Sequence, residues 1–377
     1  MKKSKFVLVF DIGSSKVRAV VAGRGLNGTF NVRGLKEVEY DGFYEGEFLD
    51  KEKIYPIFEG VVAEFEAYLD RIDKVYIGVP AEFSSVFTTE VAFNFGERRK
   101  VKKADIDSLQ YMAGEKAKNA NVEVVSVSAV EYVIDGRTTL SPIGESGSAI
   151  TGKLSVIYAN KEFIDLFNEI VGGLGFSAVE YISEPLAQAH FIIPAEKKED
   201  LALLIDSGDL TTSIALTKGE GLILLTSFSR GGGFITNDLS EAFNLSMGEA
   251  DRLKKQVVLS LKGKQNDCYH LTTDMGTTTK IMLNEANEVV GYRIEELAEV
   301  ISKCLQLHNQ QFASYLPVYL TGGGISKLKG GRDFLAKCLG RNIAYGVPPL
   351  PGKEKAELAS LYSLVSVALN SLESGER

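Results

Sequence analysis

The chain has 377 residues, which at about 150 residues per domain leaves room for two or three domains. Its 45% apolar and 24% charged residues are an ordinary globular mix, so collagen-like, disordered and disulfide-scaffold classes are excluded. A net charge of −8 argues against general nucleic-acid binding, which depends on neutralising phosphates.

From the N-terminus, Lys2-Lys3-Ser4-Lys5 precedes an apolar run of only Phe6 to Phe10. That is short of the about 7–15 residues of a signal-peptide core. No other run approaches the roughly 18 apolar residues of a membrane span, so a cytoplasmic protein is expected. Phe6 to Phe10 reads as a strand buried on both faces. It ends in the polar turn Asp11-Ile12-Gly13-Ser14-Ser15-Lys16, and a second strand, Val17 to Ala22, completes a hairpin. Ile54 to Leu69 has helical spacing, and Val75 to Val79 is another buried strand. From Ser84 to Asn160 strands alternate around one helix near Ala104 to Ala120, as in an inserted α+β module; Val122 to Val127 alternates with period two. Phe163 to Val171 is helical, and Ile193 to Asp200 is a polar linker.

Leu201 to Ile205 then repeats the opening unit. A buried strand runs into Asp206-Ser207-Gly208-Asp209-Leu210-Thr211-Thr212, and Ser213 to Thr217 returns. The two aspartates stand 195 positions apart, which signals two similar domains rather than a short-period solenoid. Asp238 to about Lys264 is helix-rich, the stretch to Thr279 is polar and strand-poor, and Ile294 to Phe312 is an amphipathic helix. Val318 to Thr321 enters the Gly322-Gly323-Gly324 turn, and Leu358 to Leu372 is a core helix.

The paired hairpins carry the chemistry. Glycine lets a backbone approach a phosphate, and successive N–H groups in a tight turn form an anion nest. Ser14, Ser15, Thr211 and Thr212 offer hydroxyl donors and Lys16 a neutralising charge. Asp11, Asp206 and Asp209 suit a hard cation such as Mg²⁺, held mostly through waters. Two ordinary polar hairpins are the plain alternative, which the matched pair disfavours. Gly231-Gly232 before a helix is a further anion site. Asp251 and Lys254, one turn apart, reach toward a sugar or base, or form a solvated ion pair. Glu184, before Pro185, is placed to orient a water or to serve as a helix N-terminal charge. The basic run Arg98 to Lys103 reads as a solvated face. Widely spaced Cys268, Cys304 and Cys338 exclude a disulfide framework and a zinc site. Isolated His190, His270 and His308 give no scaffold for a triad.

Taken together, the Asp-x-Gly hairpins, the Glu184-Pro185-Leu186-Ala187-Gln188-Ala189 segment, Gly231-Gly232 with Thr236-Asn237-Asp238, and Leu320-Thr321-Gly322-Gly323-Gly324 resemble the actin-like ATPase fold. Within it they resemble the FtsA family of bacterial cell division, over almost the whole chain. The Asp135-Gly136 and Pro142-Ile143-Gly144 turns resemble that family's own insert. The resemblance implies an α/β architecture of two RNase H-like domains with an inserted α+β subdomain. Its boundaries are 1–83 first domain, 84–160 insert, 161–198 return, 199–237 second domain, 238–292 smaller subdomain, 293–345 return and 346–377 C-terminal return to the first domain. It implies ATP and Mg²⁺ as cofactors, self-association into filaments, and other division proteins as partners through the insert. It also implies the C-terminal tail of FtsZ as a partner, taken up by Arg293 and Glu296 at a helix start. The place implied is the inner face of the membrane at the division site. A pilus-assembly relative of the PilM kind, an FtsA paralogue, and a sugar or acetate kinase are the alternatives. Two departures stand out: Leu210 replaces a glycine and crowds the terminal phosphate, so at most a weak ATPase is expected. Leu361 to Leu372 lacks Lys and Arg, so no membrane anchor is expected within these 377 residues.

Overall fold

Two five-stranded sheets are built on one plan. In the first, Val7–Ile12 turns back as Lys16–Arg24, setting Asp11 opposite Arg18. Phe30–Glu39 adds antiparallel on that side, while Val75–Val79 and Val179–Ser183 add in parallel on the other. In the second, Ala202–Ser207 turns back as Thr212–Lys218, setting Asp206 opposite Ser213. Gly221–Phe228 adds antiparallel, and Val318–Thr321 and Ile343–Tyr345 add in parallel. The strand order is the same in both. The structure is a computed structural model describing residues 6–25, 29–72, 74–264, 266–307 and 316–374. Lys2 to Lys5, His308 and the end of the helix expected to reach Phe312 lie outside them.

Every residue of Val7–Ile12 is buried, because helices cover both faces of its sheet. On one face, the helices Ile54–Glu64 and Lys161–Gly173 bring Phe58 and Phe167 against Phe10, with Phe58 stacked on Phe10 at 4.0 Å. On the other, Leu361, Leu364, Val365 and Ala368 of the last helix, Ala359–Ser374, fill the space. The second sheet rests one face on Gly232–Phe243, Met247–Gln256, Leu283–Leu307 and Gly331–Leu339. Its other face meets the helix Glu184–Ile192 of the first half. That helix therefore lies between the two sheets.

The insert is a sheet in the order Ser84–Lys100, Ser146–Asn160, Val122–Ile134, Arg137–Thr139, covered by the helix Lys103–Ala117. Ile106, Leu109 and Ala113 of that helix pack onto it. The basic run is partly structural. Arg99 clamps Asp105 with two bonds of 2.8 Å and lies over the Phe95 ring at 3.8 Å.

Three sequence expectations need correction. The stretch before Thr279 contains a hairpin, Cys268–Thr272 with Thr278–Met282. Only Tyr269, Leu271 and Ile281 of it are buried, too few apolar positions to stand out from a polar stretch. The amphipathic helix begins at Leu283, not Ile294. The helix expected from Ile54 to Leu69 breaks at Phe65, whose N–H turns back to Val61 and Val62 carbonyls. Among the described residues no helix is long and apolar enough to cross a membrane.

Candidate functional site

The two polar turns face each other across a cleft of about 1190 Å³. They share one geometry: Gly13 N–H donates to the Lys16 carbonyl at 2.9 Å, and Gly208 N–H to the Thr211 carbonyl at 2.8 Å. Leu210 N–H donates to Ser14 Oγ at 3.1 Å, so the turns also touch. Tyr40 pins the first turn by donating to the Gly13 carbonyl at 2.8 Å. The other glycine runs are laced onto the second turn. Gly232 N–H donates to Gly208 O (2.9 Å), Gly233 N–H to Asp209 O (2.7 Å) and Gly324 N–H to Ser207 O (2.6 Å). A Cβ on Gly232 would lie 2.6 Å from the Gly324 Cα, so this approach requires glycine.

Carboxylates line the floor. Asp11 is 2% exposed; Ser360 donates to its Oδ1 at 2.8 Å, and Arg18 stands 3.6 Å from Oδ2. That Oδ2 has no hydrogen-bond partner among the described residues. Burial raises the Asp11 pKa, with Arg18 and Ser360 opposing. Asp206 accepts from Gln188 Nε2 at 2.6 Å; burial, against that bond and with help from Asp11, pushes it up to about 6. Glu184 is raised well above the usual range by burial, with the Asp11 and Asp206 charges adding to the shift. Such crowded, desolvated acids are stable when a cation neutralises them.

Of the residues expected from sequence, Asp11, Gly13, Ser14, Ser15, Lys16, Glu184, Asp206, Gly208, Asp209, Thr211, Gly232, Asp251, Lys254, Gly322, Gly323 and Gly324 line this one cleft. Thr212 and Gly231 do not. Thr212 is fully buried, and its hydroxyl donates to the Arg230 carbonyl beneath the turn. Gly231 packs against the Asp209 carbonyl, where a Cβ would sit at 2.2 Å. Lys16 lines the cleft, but its ammonium is paired with Glu37 at 2.6 Å and Glu39 at 3.3 Å. Lys254 donates to Thr236 Oγ1 at 2.6 Å and the Gly232 carbonyl at 3.1 Å, and stands 3.3 Å from Asp251.

Arg293 and Glu296 lie in mid-helix rather than at an exposed helix start. Arg293 clamps Asp238 with two bonds of 2.6 Å and also bonds Glu296, which Arg230 meets at 3.2 Å. The expected helix start is thereby corrected, and the guanidinium fork of Arg293 is filled by Asp238 of the helix Gly232–Phe243.

Beside Glu184 and Asp251, the carboxylates of Glu37, Glu39, Glu82 and Glu357 also line the cleft. Arg18, Gln188 and Ser360 were missed too. Gln188 was legible, being four residues beyond Glu184 on one helical face, and Arg18 faces Asp11 by hairpin register. Ser360 carries no local signal.

Duplicated five-stranded sheets with a shared cleft and one insert define an actin-like ATPase fold. The family model for "Cell division protein FtsA" matches residues 203–363, and that for the "SHS2 domain inserted in FTSA" matches 84–158. Cell division protein FtsA of Enterococcus hirae is 24% identical over 379 residues, covering 98% of this chain and 84% of the relative. That of Bacillus subtilis is 21% identical over 375 residues, covering 98% and 84%. The chain belongs to the FtsA family. Among solved structures, the PilM-PilN type IV pilus biogenesis complex aligns with TM-score 0.63 at 17% identity, covering 98% of this chain and 99% of that one. MreB5 of Spiroplasma citri bound to ADP aligns at 0.58 and 12%, covering 99% of each. These two share the fold.

Proposed function

We propose that the chain binds ATP with Mg²⁺ in this cleft and acts as a nucleotide-dependent scaffold of bacterial cell division. The observation that carries this reading is the pair of matched Asp-x-Gly turns facing each other over buried acids. With the Gly13 and Gly208 N–H groups closing the two turns, the next amides, at Ser14 and Asp209, suit phosphate oxygens. Among the described residues no three acidic, His or Cys side chains converge to hold a metal directly. The donor chemistry therefore fits Mg²⁺ kept mostly in its own water shell, with Asp11 Oδ2 free to accept from those waters and Asp206 and Asp209 nearby. Bound Mg²⁺ would neutralise phosphate charge. Glu184, at the N-terminus of its helix, would orient water, while the Leu210 side chain crowds the terminal phosphate and slows turnover. Gly322 to Gly324, Asp251 and Lys254 would border the nucleoside.

Filament formation, an FtsZ tail as partner and further division proteins at the insert belong to the same proposal and rest on family membership. So does a place at the inner face of the membrane, reached through a following membrane helix or through a partner. An FtsZ tail carboxylate at Arg293 would have to displace Asp238. Calorimetry with Mg²⁺-ATP tests the core of the reading. Wild type should bind, and Asp11→Ala and Asp206→Ala should each lose at least a hundredfold in affinity; unchanged affinity in both sinks the site. Pull-down with an FtsZ tail or a pilus-protein tail separates this reading from a PilM-like one.

A further inference from the structure

The turn Lys218-Gly219-Glu220-Gly221 joins two strands of the second sheet, yet it is seated on the insert. Glu220 N–H donates to the Ala129 carbonyl at 2.7 Å, and Lys218 Nζ meets Glu131 Oε2 at 2.5 Å. Gly219 has φ +63, and a Cβ there would lie 2.3 Å from the Val130 carbonyl; a Cβ on Gly221 would lie 2.7 Å from Ser155 Cβ. Side chains are excluded so that backbone can rest on backbone. Beneath the turn, Ile157 of the insert shares an apolar cluster with Leu204, Ala215 and Leu222 of the second sheet and with Leu186 and Ala189 of the Glu184 helix. Two groups hold the turn from the connecting side. The His190 ring lies 3.0 Å from the Glu220 carbonyl, and Lys198 lies 3.2 Å from its carboxylate.

The insert is spliced into the first domain and rests on the second. The strand Thr212–Lys218 starts at the second polar turn of the cleft and ends on the insert, a rod of about 20 Å at 3.3 Å per residue. We propose that this strand couples the nucleotide cleft to the insert, so that closing the cleft and docking the insert favour each other. The docking contacts coexist here with the Ser14–Leu210 bond that joins the two turns. A ligand that favours this closed arrangement must strengthen docking, and by linkage docking must strengthen the ligand. The inference rests on the proposed ATP site and adds to it a route by which a partner on the insert senses nucleotide.

The test uses the full chain with Mg²⁺-ATP, read by calorimetry and by hydrogen exchange of residues 122–134. In wild type, ATP should slow exchange around Ala129 to Glu131 as well as in the cleft turns. Lys218→Glu sets like charge against Glu131; it should weaken ATP about fivefold and abolish the slowing in the insert. Lys218→Glu with Glu131→Lys restores opposite charges and should return both readouts to within twofold of wild type. Lys218→Met, which removes the pair without repulsion, should show a smaller loss in the same direction. If all four proteins bind ATP alike and the insert exchanges alike with and without it, the coupling is wrong and the ATP site stands. Wild type that binds no ATP overturns both.

Discussion

Ser14 Oγ accepts the Leu210 N–H at 3.1 Å although the two residues are 196 positions apart. One hydroxyl thus joins the two halves of the chain at the mouth of the two polar turns. A neutral hydrogen bond contributes about 0.5–1.5 kcal/mol. Ser14→Ala should therefore weaken Mg²⁺-ATP by roughly 2- to 12-fold, that range converted at about 1.4 kcal/mol per decade. Ser14→Thr should bind as wild type does. Calorimetry reads both.

Leu210 contributes its backbone to this bond and its side chain to the cleft wall. Leu210→Gly keeps the N–H and removes the side chain. ATP affinity should hold while phosphate release in single-turnover assays rises; an unchanged rate would clear Leu210 of slowing the chemistry.

Glu82 has one carboxylate oxygen buried without a hydrogen-bond partner among the described residues. Burial, with Glu45 adding repulsion, pushes its pKa up from 4.5 to about 7. The folded chain therefore holds this proton more tightly than the unfolded one. Below pH 4.5 both states are protonated and there is no penalty; as pH rises toward 7 the penalty grows and then levels off. Glu82→Gln should equal wild type in urea unfolding near pH 4.5. At pH 8 it should gain about 1 kcal/mol, a figure discounted for the partial exposure of the group. Equal stabilities at pH 8 would refute the assignment.

Arg293 binds Asp238 through both arms of its guanidinium, a geometry lysine cannot reproduce. Arg293→Lys should lower unfolding stability by about 1 kcal/mol and Arg293→Ala by about 2 kcal/mol, measured by urea denaturation at neutral pH. Asp238→Ala combined with Arg293→Ala should cost less than the sum of the single changes, as expected for residues in contact.

How much of this was legible depended on the range of the signal. The duplicated turns were readable because turn chemistry is local: Asp, Gly and hydroxyls must sit within a few residues for the backbone to bend toward an anion. Glu184 and Gln188 share a face by helical period alone. The hairpin Cys268–Thr272 with Thr278–Met282 was hidden because its outward positions are polar and its inward ones few. The fates of Thr212 and Arg293 turned on Arg230 and Asp238, which arrive from other elements. Ser360 reaches Asp11 across 349 positions, and no pattern in the chain announces that meeting.

The last helix, Ala359–Ser374, belongs by packing to the sheet that begins at Val7. Leu361, Leu364, Val365 and Ala368 cover one side of it together with Ala187 of the helix Glu184–Ile192. On a ribosome adding about 5–20 residues per second, the N-terminal sheet is among the first parts made and among the last to be finished. Val7, Val9, Val20 and Tyr76 stay only partly covered until the last helix emerges, while the second domain can close around its own helices. The half of the molecule that carries Asp11 is therefore the one whose apolar face stays open longest during synthesis.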